Sequence, residues 1–192
     1  MKNNPCDNSR LFLAVISCVL AYTTTSFGIE MRFEELMSII NFEAGDVPPR
    51  NSSFSILTFF PKYVARFEVH DTGQKIDIQG TSKFVRQGKF LVNSTISPKG
   101  QTIHAVTMFD PQENAFIKWS VMPSAKTKIR RSMGKTLAGS RSISWLSIDN
   151  AAGTYALMQQ TNFPQSIQTL EHSYKGGQLI RQMNGTIVSP EP

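Results

Sequence analysis

From Ser53 onward the chain alternates. Tyr63, Ala65, Phe67 and Val69 interleave with Val64, Arg66 and Glu68. Ile76, Ile78, Gly80, Ser82 and Phe84 interleave with Lys75, Asp77, Gln79, Thr81 and Lys83. A period of two marks strands whose two faces look in opposite directions. Asp71-Thr72-Gly73 joins these runs as a hairpin turn should. More strand-length runs follow over 89–97, 101–109, 115–122, 141–148, 154–161, 166–174 and 178–188. Turn residues separate them: Pro98-Lys99-Gly100, Asp149-Asn150 with Gly153, Asn162-Phe163-Pro164 and Lys175-Gly176-Gly177. Asp110-Pro111-Gln112-Glu113-Asn114 is turn chemistry too, because Pro fixes φ after a capping Asp. The apolar run from Phe54 to Phe60 is a candidate first strand. The pattern predicts a mainly all-β fold, an antiparallel up-and-down sheet of about nine to ten strands. Closure into a barrel removes its exposed edges.

One stretch has a different period. Phe33, Leu36, Met37 and Ile40 fall at i, i+3, i+4 and i+7, which predicts a helix over Met31 to Phe42, about 30–43 with its ends. Glu30, Glu34 and Glu35 suit its positive end, and Gly45 with Pro48-Pro49 ends it. Before it, Lys2 and Arg10 flank the apolar stretch Leu11 to Tyr22, and small residues stand at Ser26 and Gly28. Residues 1–28 therefore read as an export signal, too short to span a bilayer comfortably. An uncleaved anchor and a lipid anchor at Cys18 are the alternatives. The expected location is periplasmic or extracellular, with 29–192 forming one domain. Both cysteines, Cys6 and Cys18, lie in the leader, so the exported domain is expected to carry no disulfide and no thiolate site.

Composition narrows the function. The 192 residues are 40% hydrophobic and 18% charged, with a formal net charge of +6, which excludes a disordered or multi-span membrane chain. The basic residues are mostly scattered, without the basic stripe and exposed aromatics of a nucleic-acid binder. The exception is Lys126 to Arg131 with Lys135 and Arg141. On a strand Lys126, Lys128 and Arg130 share one face, which makes segment 126–135 a candidate for peripheral contact with an anionic membrane. Arg131, beside Ile129 on the other face, could then point inward and clamp a ligand carboxylate. His70, His104 and His172 sit on three different predicted strands without metal-ligand spacing, so no metal and no cofactor are expected. There is no Gly-x-Ser-x-Gly, and Met133-Gly134-Lys135-Thr136 lacks the earlier glycine of a phosphate loop.

Several strand faces are mixed. Tyr155 and Leu157 share one with Gln159 and Thr161, and Leu179, Met183 and Ile187 share one with Arg181. Mixed faces suit a barrel whose interior is partly polar and able to hold a ligand. Trp119, Arg131, Trp145, Tyr155 and Arg181 are the candidate ligand contacts. An enzyme reading would use Asp110, Glu113 or His104 as acid or base at the barrel mouth.

A set of short motifs occurs in order: Gly80-Thr81-Ser82-Lys83-Phe84-Val85, Gly88-Lys89-Phe90-Leu91-Val92, Met108-Phe109-Asp110-Pro111, Phe116-Ile117-Lys118-Trp119, and Tyr174-Lys175-Gly176-Gly177-Gln178 with Arg181. Over roughly Phe67 to Val188 the chain resembles the bacterial secreted family called domain of unknown function 1579. The resemblance implies a calycin-like barrel related in shape to lipocalins and fatty-acid-binding proteins, and no established activity. The Gly-x-Trp that often opens such barrels is absent, since Asp-Val-Pro-Pro follows Gly45. The function expected is non-enzymatic binding of a small hydrophobic or amphipathic ligand inside the barrel. A lipoprotein-carrier-like half-barrel for acyl chains and an interaction module with a filled interior are the alternatives.

Overall fold

The computed structural model describes residues 30–43, 53–122, 129–136 and 140–190. The leader, Gly45 and Lys126 to Lys128 lie outside them. The chain divides into Met1–Met31 and Arg32–Pro192, and the second unit holds the fold. One helix, α1 (Phe33–Ile40), precedes ten strands: β1 (Lys62–Val69), β2 (Gln74–Val85), β3 (Phe90–Ile96), β4 (Thr102–Asp110), β5 (Ala115–Val121), β6 (Ile129–Thr136), β7 (Ser142–Asp149), β8 (Thr154–Asn162), β9 (Ile167–Lys175) and β10 (Gln178–Val188). Each strand pairs antiparallel with the next, and β1 pairs with β10 (Val64 opposite Val188, Val69 opposite Met183), so the sheet closes into a barrel. With no open edge, the half-barrel geometry is not the one this chain adopts.

Following the register around the ring sorts the side chains into two faces. Phe84 lies opposite Leu91, Leu91 opposite Thr107, Phe109 opposite Phe116, Phe116 opposite Gly134, and Gly134 opposite Trp145. This face looks inward, and it carries the cluster of Phe54, Phe84, Leu91, Phe116, Ile143 and Trp145. Two glycines let the wall coil tightly. A Cβ on Gly134 would lie 2.6 Å from the Trp145 ring, and one on Gly80 would collide with the Tyr63 ring opposite. The aromatics cover the bare backbone of their cross-strand partners, a device that helps a sheet close.

The run Phe54 to Phe60 is not a strand. Ser53–Ile56 forms a 3₁₀ turn, and the chain beyond it runs extended into β1. Phe54 packs edge-on to Phe84 at 5.6 Å and against Phe116 at 5.8 Å, and Phe59 lies 4.8 Å from Phe84. The Thr58 N–H donates to Asn162 Oδ1 (3.2 Å), Thr58 Oγ1 donates to the Phe163 carbonyl (2.6 Å), and Asn162 Nδ2 donates to the Arg141 carbonyl (2.9 Å). These partners sit where β2 and β8 end and β5 and β7 begin, at one rim. The segment therefore plugs that end of the barrel.

α1 is shorter than the sequence predicts and rotated. The Arg32 N–H donates to Glu35 Oε2 (2.9 Å) at its start, and Asn41 N–H caps the Met37 carbonyl at its end. Leu36, Ile39 and Ile40 are buried, while Phe33 and Met37 are half-buried. The helix lies against β4 and β5. Lys83 Nζ donates to the Phe42 carbonyl (2.6 Å) just past its end, where the dipole favours a cation. It covers an outer face that is itself apolar: Val92, Val106, Ile117, Trp119 and Val121 are buried there.

Candidate functional site

The two ends of the barrel differ. At the plugged end a small, partly open cavity of about 110 Å³ remains between Phe59, Tyr63, Leu91, Gln160 and Ile167. Tyr63 Oη and Thr95 Oγ1 share a hydrogen bond of 2.8 Å beside it, and burial pushes the Tyr63 hydroxyl pKa up. Toward the other end the inward residues are no longer sealed. Ile76, Ile78, Ile103, Ala156 and Met183 are half-buried, although all face in. The lumen is thus a cup, with an aromatic floor and half-exposed aliphatic walls.

Lys118 stands at mid-height in this cup. It projects inward because it alternates with Ile117 and Trp119, which go out to the helix side. Its Nζ lies 4.3 Å from the Trp145 ring centroid, a cation–π distance. Among the described residues it has no hydrogen-bond or ion-pair partner. Burial lowers its pKa to about 8 against an opposing attraction from Glu171. The residue is only half-buried by accessible surface. Its side chain is still partly accessible, so solvent screens part of that cost.

Glu171, across the lumen on β9, is already engaged. Arg181 Nη2 donates to its Oε1 at 2.6 Å and Ser173 Oγ donates to the same oxygen at 3.0 Å. Trp145 Nε1 is held by Gln160 Oε1 at 3.2 Å. Nearer the rim, Arg130 and Asp149 form an exposed pair at 3.5 Å. The inward face therefore carries Lys118, Arg130, Lys175 and Arg181 against Asp149 and Glu171. Two cations are left over, one of them deep. Such an arrangement favours an anion whose tail is apolar.

The structure divides the five candidate contacts. Trp145 and Arg181 face the lumen. Trp119, Arg131 and Tyr155 lie on the outer face. Trp119 is 1% exposed on the helix-covered side, Arg131 pairs beside it on β6, and Tyr155 stacks on Tyr174. Arg130, expected to face away from the interior, is the residue whose side of β6 looks in. Leu179 does not share a face with Arg181, because the register slips between them. Lys118 and Glu171 were not among the candidates. The available signal was Lys118 itself, a lone charge in the apolar run AFIKWSV.

The proposed acids and bases are not gathered. Asp110 Oδ1 accepts the Gln112 and Glu113 N–H groups (2.9 and 3.4 Å), and Asn114 has φ 47°. That is a side-chain-capped turn at the plugged end. His104 lies on the outer face, bonded through Nδ1 to Ser94 Oγ (2.8 Å), with its pKa lowered by burial and by Lys83. Among the described residues no cluster of histidine, cysteine or acids could hold a metal.

A second concavity, of about 890 Å³, is outside the barrel on β1, β2, β8, β9 and β10. Arg66 lies opposite Asp77 and Glu68 opposite Lys75, so its charges compensate one another and it opens widely to solvent. The lumen combines an apolar wall with uncompensated charge, and it carries the stronger chemistry. This charged outer face is also unlike the apolar band that a membrane-spanning barrel turns to lipid. No described helix is long and apolar enough to cross a membrane. No protein-family model matches this chain, and no relative is found among curated proteins.

Proposed function

We propose that this protein, after export, binds a small amphipathic molecule with an anionic head group in the open half of its calycin-like barrel, and catalyses no reaction on it. One observation carries the reading: the Lys118 ammonium stands in the lumen beside Trp145 with no acid at bonding distance. An ammonium in an apolar surround is costly unless an anion joins it. The head group would meet Lys118, with Arg181 nearby, and the tail would lie along Ile76, Ile78, Ile103 and Met183.

Trp119 and Trp145 are the two tryptophans, and Trp119 sits outside the lumen, so a Trp119→Phe variant leaves Trp145 as a lumen reporter. Titration with medium-chain carboxylates, their alcohols and haem is expected to change Trp145 emission saturably for the carboxylates and less for the alcohols. Lys118→Met is expected to weaken carboxylate binding about tenfold or more, the scale of one charge-assisted hydrogen bond. No saturable change with any of these ligands counts against the proposal. The cavity of about 110 Å³ at the plugged end, well below the few hundred Å³ of ordinary ligand pockets, favours a filled interaction module instead. That reading predicts the silent titration.

A further inference from the structure

Two hairpin tips stand side by side at the open rim, on the outer face. β9 and β10 turn through Gly176 and Gly177 at φ 56° and 80°, as a tight two-residue hairpin requires. Directly after the turn the register slips between Leu179, opposite Tyr174, and Arg181, opposite Ser173. The extra residue is Ile180. In an unbroken ladder consecutive side chains divide between the two faces, but a bulge re-aims them. Here Leu179 is left outside, Arg181 returns to the lumen, and Leu179 and Ile180 are 52% and 51% exposed. Two adjacent large aliphatics at a hairpin tip cost hydration and contribute little to the core.

The neighbouring tip extends this surface. Tyr174 stacks flat on Tyr155 of β8, with centroids 4.9 Å apart and planes 11° from parallel. Ile148 of β7, 38% exposed, lies opposite Tyr155. An apolar and aromatic band thus crosses four strands on one side of the lumen mouth. Around it the rim acid Asp149 is paired with Arg130, Glu171 with Arg181, and Asp71 on the next tip lies 3.8 Å from His70. Lys175, which ends the inward row of β9 and is exposed at the tip between Tyr174 and Gly176, has no ion pair among the described residues.

We infer that this rim docks on an anionic lipid bilayer. Leu179 and Ile180 enter the headgroup region, the Tyr155–Tyr174 stack lies at its level, and Lys175 meets lipid phosphate. Tyrosine is favoured at membrane–water interfaces because its ring is apolar and its hydroxyl wet. A tip presenting aliphatics beside a lysine combines the two forces that hold a peripheral protein: shallow insertion and attraction to an anionic surface. A second copy of the chain would place each Lys175 near its mate, which charge repulsion opposes. The inference does not depend on what the lumen holds.

The test is co-sedimentation of the ligand-free protein with vesicles of phosphatidylcholine alone and of equal parts phosphatidylcholine and phosphatidylglycerol. Binding is expected on the anionic vesicles, weaker on the neutral ones, and reduced by salt. The double variant Leu179→Ser, Ile180→Ser is expected to lose about tenfold in partitioning on both, from two lost apolar insertions. Lys175→Glu is expected to lose binding on the anionic vesicles only. These positions are exposed, so melting temperatures should stay near that of the parent protein and confirm folding. Absent binding, binding unaffected by the double variant, or a dimer in solution that the double variant dissolves would each overturn the inference.

Discussion

A lysine ammonium buried against an indole ring is an expensive placement, and its cost gives Lys118 a measurable sign. Burial lowers its pKa to about 8 from the 10.5 of a free lysine. Between those values the folded protein binds fewer protons than the unfolded chain, so stability rises with pH across that window. Below about pH 8 the full penalty is present. Lys118→Met keeps the length, removes the charge and is expected to raise stability at neutral pH by about 1 kcal/mol or more. The pH slope between 8 and 10.5 should flatten with it. Urea unfolding at a series of pH values checks both, and a variant less stable at pH 7 would show that Lys118 is structural. Asp110 has the opposite character. Asp110→Ala removes the acceptor for two backbone N–H groups and is expected to cost about 1 kcal/mol without touching the lumen.

At the scale of the element, β5 explains what the sequence could and could not reveal. Its strand character is legible because Ala115, Ile117, Trp119 and Val121 alternate with Phe116, Lys118 and Ser120. Which face looks inward is not. The more apolar face goes out beneath α1, and the face carrying Lys118 and Ser120 lines the lumen. A hydrophobic-in rule therefore selects Trp119 and passes over Lys118. The same inversion puts Arg131 outside. On β10 an unannounced extra residue, Ile180, breaks the alternation that groups Leu179 with Arg181. The run Phe54 to Phe60 is as apolar as a buried strand, and periodicity cannot separate such a run from a plug. Two element-level changes follow. Gly134→Val sets a branched side chain where the Trp145 ring lies, and thermal unfolding should show a loss of about 1–3 kcal/mol. Ile39→Ala removes a fully buried contact from α1. In a Trp145→Phe background it should shift Trp119 emission to the red as water reaches the β5 outer face.

Over the whole molecule, closure divides the barrel into halves with different work. The plugged half is packed by aromatic side chains and holds the fold. The open half keeps half-exposed aliphatics, a deep cation and an engaged Arg181–Glu171 pair, and it faces a rim of hairpin tips. That polarity follows from the alternating pattern, from Phe54 to Phe60 filling one end, and from the short described turns β1–β2, β3–β4, β7–β8 and β9–β10 at the other. The groove on β1, β2 and β8–β10 is charge-compensated, and the lumen is the better-matched site for an amphipathic anion. A crystal structure grown with a saturating medium-chain carboxylate tests this most directly. The carboxylate is expected within hydrogen-bond distance of Lys118 Nζ and the chain between Ile76, Ile103 and Met183. A lumen holding only water, or the ligand in the outer groove, would contradict it.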